Sequence, residues 1–186
     1  MTRTAVPARS IPRSAMRRVA KFSGRKAGFS LIELMVTIAI VAILVGIALP
    51  SITDTITRNR IAGAANEFIA GLNYARTEAL RSKGPAGVCP SESGIKCDGT
   101  WSDKWIVFSG AVEDPTVLRQ SEFSPKDAFT SNKNTTVIQF DARGMLATQP
   151  DVFELQPDGC ATGKPMRRVF NLRRTGNLSV IKGDCT

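Results

Sequence analysis

The sequence predicts an α+β protein in which a long N-terminal α-helix is followed by an antiparallel β-sheet or sandwich head packed on the helix's C-terminal half. Three observations predict it. Residues 29–49 form an apolar run of membrane-spanning length, residues 61–80 repeat apolar side chains at helical spacing, and residues 85–186 break into short strand-like segments separated by turn residues. The chain therefore divides into 1–28, 29–50, 51–84 and 85–186.

Segment 1–28 holds eight basic side chains (Arg3, Arg9, Arg13, Arg17, Arg18, Lys21, Arg25, Lys26) and no acidic one. The whole chain of 186 residues carries 25 bases and 16 acids, so the remainder, with 17 bases against 16 acids, is nearly neutral. A basic block directly before an apolar run holds the front of a membrane segment in the cytoplasm. The net charge of +9 thus reports topology more than a nucleic-acid partner.

From Phe29 to Leu49 a helix spans about 31 Å, the thickness of a bilayer's hydrocarbon core. Only Ser30, Glu33 and Thr37 are notably polar there. Gly46 and Ala48 resemble a secretory-signal cleavage site, but the apolar core is too long for one and an acid is out of place in it. A carboxylate in hydrocarbon costs about 2.5–3.5 kcal/mol on insertion scales. Glu33 therefore demands a partner.

In 51–84 the helical pattern resumes beyond Pro50, whose missing N–H is expected to bend the helix, with Gly46 loosening the turn before it. Ile61, Ala65, Phe68, Leu72, Ala75 and Ala79 lie three or four apart and form one stripe, which Ile69 and Leu80 widen. Arg58, Arg60, Glu67, Arg76, Glu78 and Arg81 are expected mostly on the other faces. Gly84 and Pro85 end the helix.

In 85–186 the segments GVC, KWIVF, TVLRQ, TTVIQF, DVFELQ, RRVFNL and NLSVIK are rich in Val, Ile and Phe and bounded by Gly, Pro, Asn and Asp, which predicts seven strands. The sequon-like Asn134 and Asn177 read as turn or strand-edge residues. Four cysteines permit three pairings. The local pairs Cys89–Cys97 and Cys160–Cys185 are preferred, because each closes a loop within one region and contributes about 2.5–3.5 kcal/mol on the chain-entropy model. A head beyond a membrane segment whose start is cytoplasmic lies in an oxidising space where such bonds persist.

Several chemistries are excluded. The chain has no histidine, so no Ser-His-Asp device and no imidazole metal shell can be built, and no CxxC pair or phosphate-cradling loop is present. No enzyme activity and no cofactor are expected. Charge is uneven, however. Residues 160–186 hold Lys164, Arg167, Arg168, Arg173, Arg174 and Lys182 against Asp184 alone, while 29–159 has 11 bases and 15 acids. A basic end of this kind suits phosphates without reading a base sequence, although only Phe170 among these residues offers a stacking surface.

Gly28, Phe29 and Glu33, inside an apolar run closed by Pro50, resemble the type III signal of type IV prepilins and type II secretion pseudopilins. The resemblance implies that a prepilin peptidase cuts after Gly28 and methylates the new amine of Phe29, so that 1–28 is a removed leader and 29–50 a transmembrane and filament-core helix. It also implies that Glu33 pairs with the N-terminal amine of a neighbouring subunit, which makes it an assembly latch and sets the subunit below the fibre tip. The leader is longer than usual; a translation start at Met16 would give a more typical one.

YARTEALRS (74–82), the cysteine-bounded loop 89–97, WIVF (105–108), VIQFDARG (137–144) and VFNLRRTGNLSV (169–180) resemble the GspH/FimT family, which includes FimU-type minor pilins. This implies a pilin fold and a minor pilin that helps to initiate a type IV pilus. It would sit in the inner membrane by a single pass with a periplasmic head until assembled with other minor pilins and the major pilin. The alternatives are an H-type pseudopilin of a type II secretion system among other pseudopilins, and a FimT-like DNA-binding pilin for natural transformation. The last carries a GRxR-like element; here the stretch after Thr175 is GNLS, with Asn177 and Ser179 at the arginine positions. Arg167, Arg168, Arg173, Arg174 and Lys182 remain its candidate DNA contacts.

Overall fold

The apolar stripe read from the sequence is the buried side of one helix. α1 (Leu31–Ser82) runs for 52 residues, and Ile61, Ala65, Phe68, Leu72, Ala75 and Ala79 are all buried. The computed structural model describes residues 28–101 and 104–186. The basic segment 1–27 and Met16 lie outside the described residues, as do the side chains of 48–50 and with them the bend expected at Pro50. Two units part between Ile43 and Leu44.

Two of the helix expectations are corrected. Leu80, expected to widen the stripe, is half exposed. Glu78, expected on an outer face, is buried, because Arg81 folds back and donates Nε and Nη2 to its two carboxylate oxygens at 2.9 and 2.7 Å. A bidentate guanidinium supplies both the charge and the hydrogen bonds that a carboxylate needs when it leaves water. Ile69 packs against the core as expected. Lys83, with φ of 52°, ends the helix just before Gly84 and Pro85.

Eight strands follow: β1 (Ala86–Pro90), β2 (Lys104–Gly110), β3 (Pro115–Glu122), β4 (Asp127–Ser131), β5 (Ile138–Phe140), β6 (Asp151–Pro157), β7 (Arg167–Leu172) and β8 (Leu178–Gly183). They form two four-stranded sheets, ordered β3-β2-β1-β5 and β4-β6-β7-β8, and every pairing between these strands is antiparallel. The segment TTVIQF yields a strand only from Ile138. β4 is absent from the expectation, because Asp-Ala-Phe-Thr-Ser offers a single large apolar side chain. It is held instead by an ion pair: Arg60 donates Nε and Nη2 to the buried Asp127 at 2.7–3.2 Å.

Both sheets meet the helix at Phe68. Its ring lies 4.8–6.2 Å, centroid to centroid, from Trp101, Trp105, Phe123, Phe129, Phe153 and Phe170, so one helical side chain is shared by rings from both sheets. Gly71 makes the approach possible: a Cβ there would stand 2.6 Å from the Trp105 ring. This explains a residue that costs about 1 kcal/mol against alanine in a helix. The reverse of the first sheet carries a smaller cluster, Cys89, Ile106 and Phe108, with Cys97, Val112, Val117 and Val137 packed on it.

Candidate assembly site

Among the described residues nothing packs on the apolar start of α1. Every side chain from Phe29 to Ile47 is exposed, and the helix contains an 18-residue window apolar enough to cross a membrane. At its start, Ser30 caps the helix. Its Oγ accepts the Glu33 N–H at 3.2 Å and its carbonyl accepts the Leu34 N–H at 3.1 Å. Ser30 and Glu33 thus have the spacing of a capping box, a signal legible in the sequence as Ser-x-x-Glu. The Glu33 carboxylate itself has no hydrogen bond or ion pair among the described residues.

Magnitudes separate two roles for Glu33. A carboxylate in the first turn gains about 0.3–1 kcal/mol from the helix dipole, which is less than the roughly 2.5–3.5 kcal/mol its burial in hydrocarbon costs. Capping alone therefore does not offset its presence in this surface. Gly28 and Phe29 are likewise exposed, outside the helix.

In the head the site residues fall into distinct places. Cys89 is bonded to Cys97 and Cys160 to Cys185. The first bond ties the loop after β1, in which the Asp98 carboxylate accepts the backbone N–H groups of Glu92 and Ser93. The hydrogen bonds from Ser93 are the main cause holding Asp98 below the usual carboxylate range. The second bond fastens the C-terminus to the loop before β7. There Lys164 reaches the helix, with Nζ 2.9 Å from the Asp54 carboxylate.

The five candidate DNA-contacting cations do not form one patch. Arg167 is paired with Glu154 at 3.0 Å, and its Nε is buried without a partner among the described residues. Arg168, its neighbour in β7, projects to the opposite face, where its strand partner is Lys182. Arg173 and Arg174 lie beyond the other end of β7, about 20 Å from Arg167 at strand rise. Asn177 occupies the turn, its carbonyl accepting the Arg173 N–H at 3.0 Å.

Arg76 is a positioning residue that sequence reasoning missed. Its Nε, Nη1 and Nη2 donate to the carbonyls of Gly144, Gly176 and Thr175 at 2.9, 3.1 and 3.2 Å. The helix is thereby tied to the turn after β5 and to the β7–β8 turn. Gly176, at φ 74°, leaves no alternative residue there, since a Cβ would lie 2.4 Å from the Gly144 carbonyl oxygen. Three of the quoted sequence motifs thus meet at one guanidinium.

Comparison with known proteins identifies the arrangement. The family described as type II transport protein GspH matches residues 64–176, and the prokaryotic N-terminal methylation motif matches residues 23–49. The chain belongs to the GspH family. No curated protein sequence matches it. Among solved structures, the type IV minor pilin FimU of Pseudomonas aeruginosa strain PAO1 is similar in two crystal forms. One has a TM-score of 0.55 at 19% identity, covering 67% of this chain and 90% of FimU. The other has 0.52 at 19%, covering 64% and 91%. The minor pseudopilin EpsH from the type 2 secretion system of Vibrio cholerae gives 0.48 at 13%, covering 66% and 97%. The FimU likeness is one of fold: a long helix with antiparallel sheets packed against it. This GspH-family chain is a type IV pilin-like structural protein and not an enzyme, and the Arg76 clamp lies within the span that the family match covers.

Proposed function

We propose that the chain is a minor pilin, cleaved by a prepilin peptidase after Gly28, methylated on Phe29, and incorporated below the tip of a type IV pilus, whose assembly it helps to initiate. Before assembly, residues 29–50 hold it in the inner membrane with the head in the periplasm. The observation that carries this reading is the Glu33 carboxylate, unpartnered among the described residues, in the exposed apolar first half of α1. When such helices bundle in a fibre core, the amine of a neighbouring subunit's Phe29 offsets the desolvation of both charges. An unpaired carboxylate penalises any other register.

The reading is tested by Glu33→Ala and Gly28→Ala in the native host. Glu33→Ala is expected to be cleaved normally yet recovered poorly in sheared surface fibres; normal incorporation would remove the latch. Gly28→Ala is expected to accumulate as uncleaved precursor in the membrane.

A second reading, an H-type pseudopilin that joins a type II secretion pseudopilus, is favoured by the family match itself. Deletion of the gene separates the two: loss of surface pili with intact protein secretion supports the minor pilin, and the converse supports the pseudopilin.

A further inference from the structure

Most arginines of the head and of the helix beneath it are held within the molecule. Arg60, Arg81, Arg119, Arg143 and Arg167 each pair with a carboxylate, and Arg76 holds three carbonyls. Arg173 and Arg174 differ: both are exposed, and among the described residues neither guanidinium has a partner. They line an open cleft of about 710 Å³ together with Lys133 and the polar side chains of Asn132, Asn171 and Ser179. The one carboxylate in the lining, Asp151, is buried and already accepts Ser131 Oγ–H and the Val152 N–H. Three cations therefore face one acid that is internally satisfied.

The two arginines stand on a fixed turn. The Arg173 N–H donates to Asn177 O at 3.0 Å, the Gly176 N–H to Arg173 O at 2.9 Å, and the Leu146 N–H to Arg174 O at 3.0 Å. Arg76 holds the carbonyls of Thr175 and Gly176 from the helix side. Fixing a backbone before contact removes part of the ordering cost of binding.

We propose that this cleft is a docking site for an acidic peptide segment of an adjacent subunit, with Arg173, Arg174 and Lys133 contacting its carboxylates. Charge complementarity selects the occupant. The two free guanidiniums, with the Lys133 Nζ that also donates to the Pro150 carbonyl at 2.8 Å, sit in a concave cleft beside apolar Val152 and Leu172, which suits an inserted chain segment. A duplex backbone needs cations along a longer track, and Arg167 is occupied by Glu154. The cleft flanks the C-terminal turns of α1 through Arg76, the end of the head away from the Lys164–Asp54 contact. On the fibre reading above, on which the identity of the partner rests, the occupant is supplied by a neighbouring subunit.

The test uses the full chain in detergent and a short fluorescent oligoglutamate peptide, with oligoglutamine and a duplex DNA oligonucleotide as competing probes. The oligoglutamate is expected to bind at low salt and weaken as salt rises. An Arg173→Ala, Arg174→Ala double variant should lose about tenfold or more in affinity, the loss of roughly one good charged contact, and Lys133→Gln should lose less in the same direction. Arg58→Ala, which removes an exposed cation elsewhere on α1, should bind as the parent does. Equal binding of oligoglutamine, unchanged affinity of the double variant at unchanged melting temperature, or preference for the duplex would each overturn the proposal. The assay needs neither cleavage nor a fibre, so its failure is distinct from failure of the Glu33 and Gly28 tests.

Discussion

The two halves of α1 obey different rules although one helix contains both. From Phe29 to Ile47 every side chain is exposed and, apart from the Ser30 cap, the only side-chain hydrogen bond there among the described residues is local, from Thr37 Oγ1 to the Leu34 carbonyl at 2.8 Å. From Arg60 to Arg81 an apolar stripe is buried, and Arg60, Glu67, Arg76 and Glu78 are each held by ion pairs or carbonyls. The second half is completed by its own head. On the proposed function, the first half is completed by something outside the chain. The comparison shows that an apolar surface is informative when its owner has not covered it, and that burial, more than hydropathy, separates a core helix from one awaiting a membrane or a bundle.

The contrast breaks most visibly at Phe68. Phe68→Ala removes the ring that rings from both sheets share and is expected to cost about 3–5 kcal/mol, measured by chemical denaturation. Ile38→Ala, an equally apolar deletion in the first half, should leave the head's unfolding unchanged. A similar loss from both would mean that the first half is part of the folded core.

Arg60→Ala comes next. It leaves the fully buried Asp127 carboxylate without its cation and should cost about 3 kcal/mol, the lower end for breaking a buried pair because Arg60 is partly exposed. Arg60→Ala with Asp127→Asn should recover part of that loss; no recovery would assign the cost to lost packing.

A smaller effect is expected from acid. Burial pushes the Asp151 carboxyl up, but hydrogen bonds from Ser131, Thr135 and the Val152 N–H outweigh it and hold the group below its ordinary value. A depressed folded pKa means that the contribution is present above the ordinary aspartate value of about 3.9 and is lost as pH falls through the lower folded value. Melting temperature should therefore fall in that acid range, and less steeply in Asp151→Asn; identical slopes would remove Asp151 from the acid response. Smallest of all is Trp105→Phe. The Trp105 indole N–H is buried without a partner among the described residues, so deleting it relieves an unsatisfied donor and offsets much of the lost ring area, leaving stability within about 1 kcal/mol.

What was legible in the sequence follows from which interactions leave a pattern. The stripe from Ile61 to Ala79 was readable residue by residue because helical burial repeats every three or four positions. Six strands were readable at nearly their observed positions, since alternating Val, Ile and Phe report a sheet face. β4 was not, because its place depends on Arg60, 67 positions away along the chain. The Arg76 clamp left no sign either: its acceptors are backbone carbonyls, which every residue possesses. Glu78 was misplaced because a bidentate arginine can bring an acid into a core wall without altering the apolar period. At the N-terminus, Ser30 and Glu33 have capping-box spacing, of which the structure shows the Ser30 Oγ half.

The central claim is that the exposed first half of α1 is finished by a neighbour's amine, which exists only after cleavage. Its most direct measurement is the intact mass of the protein recovered from assembled fibres. The account predicts a chain beginning at Phe29, heavier by one methyl group and closed by both disulfides. A mass that retains any residue upstream of Phe29 would contradict it.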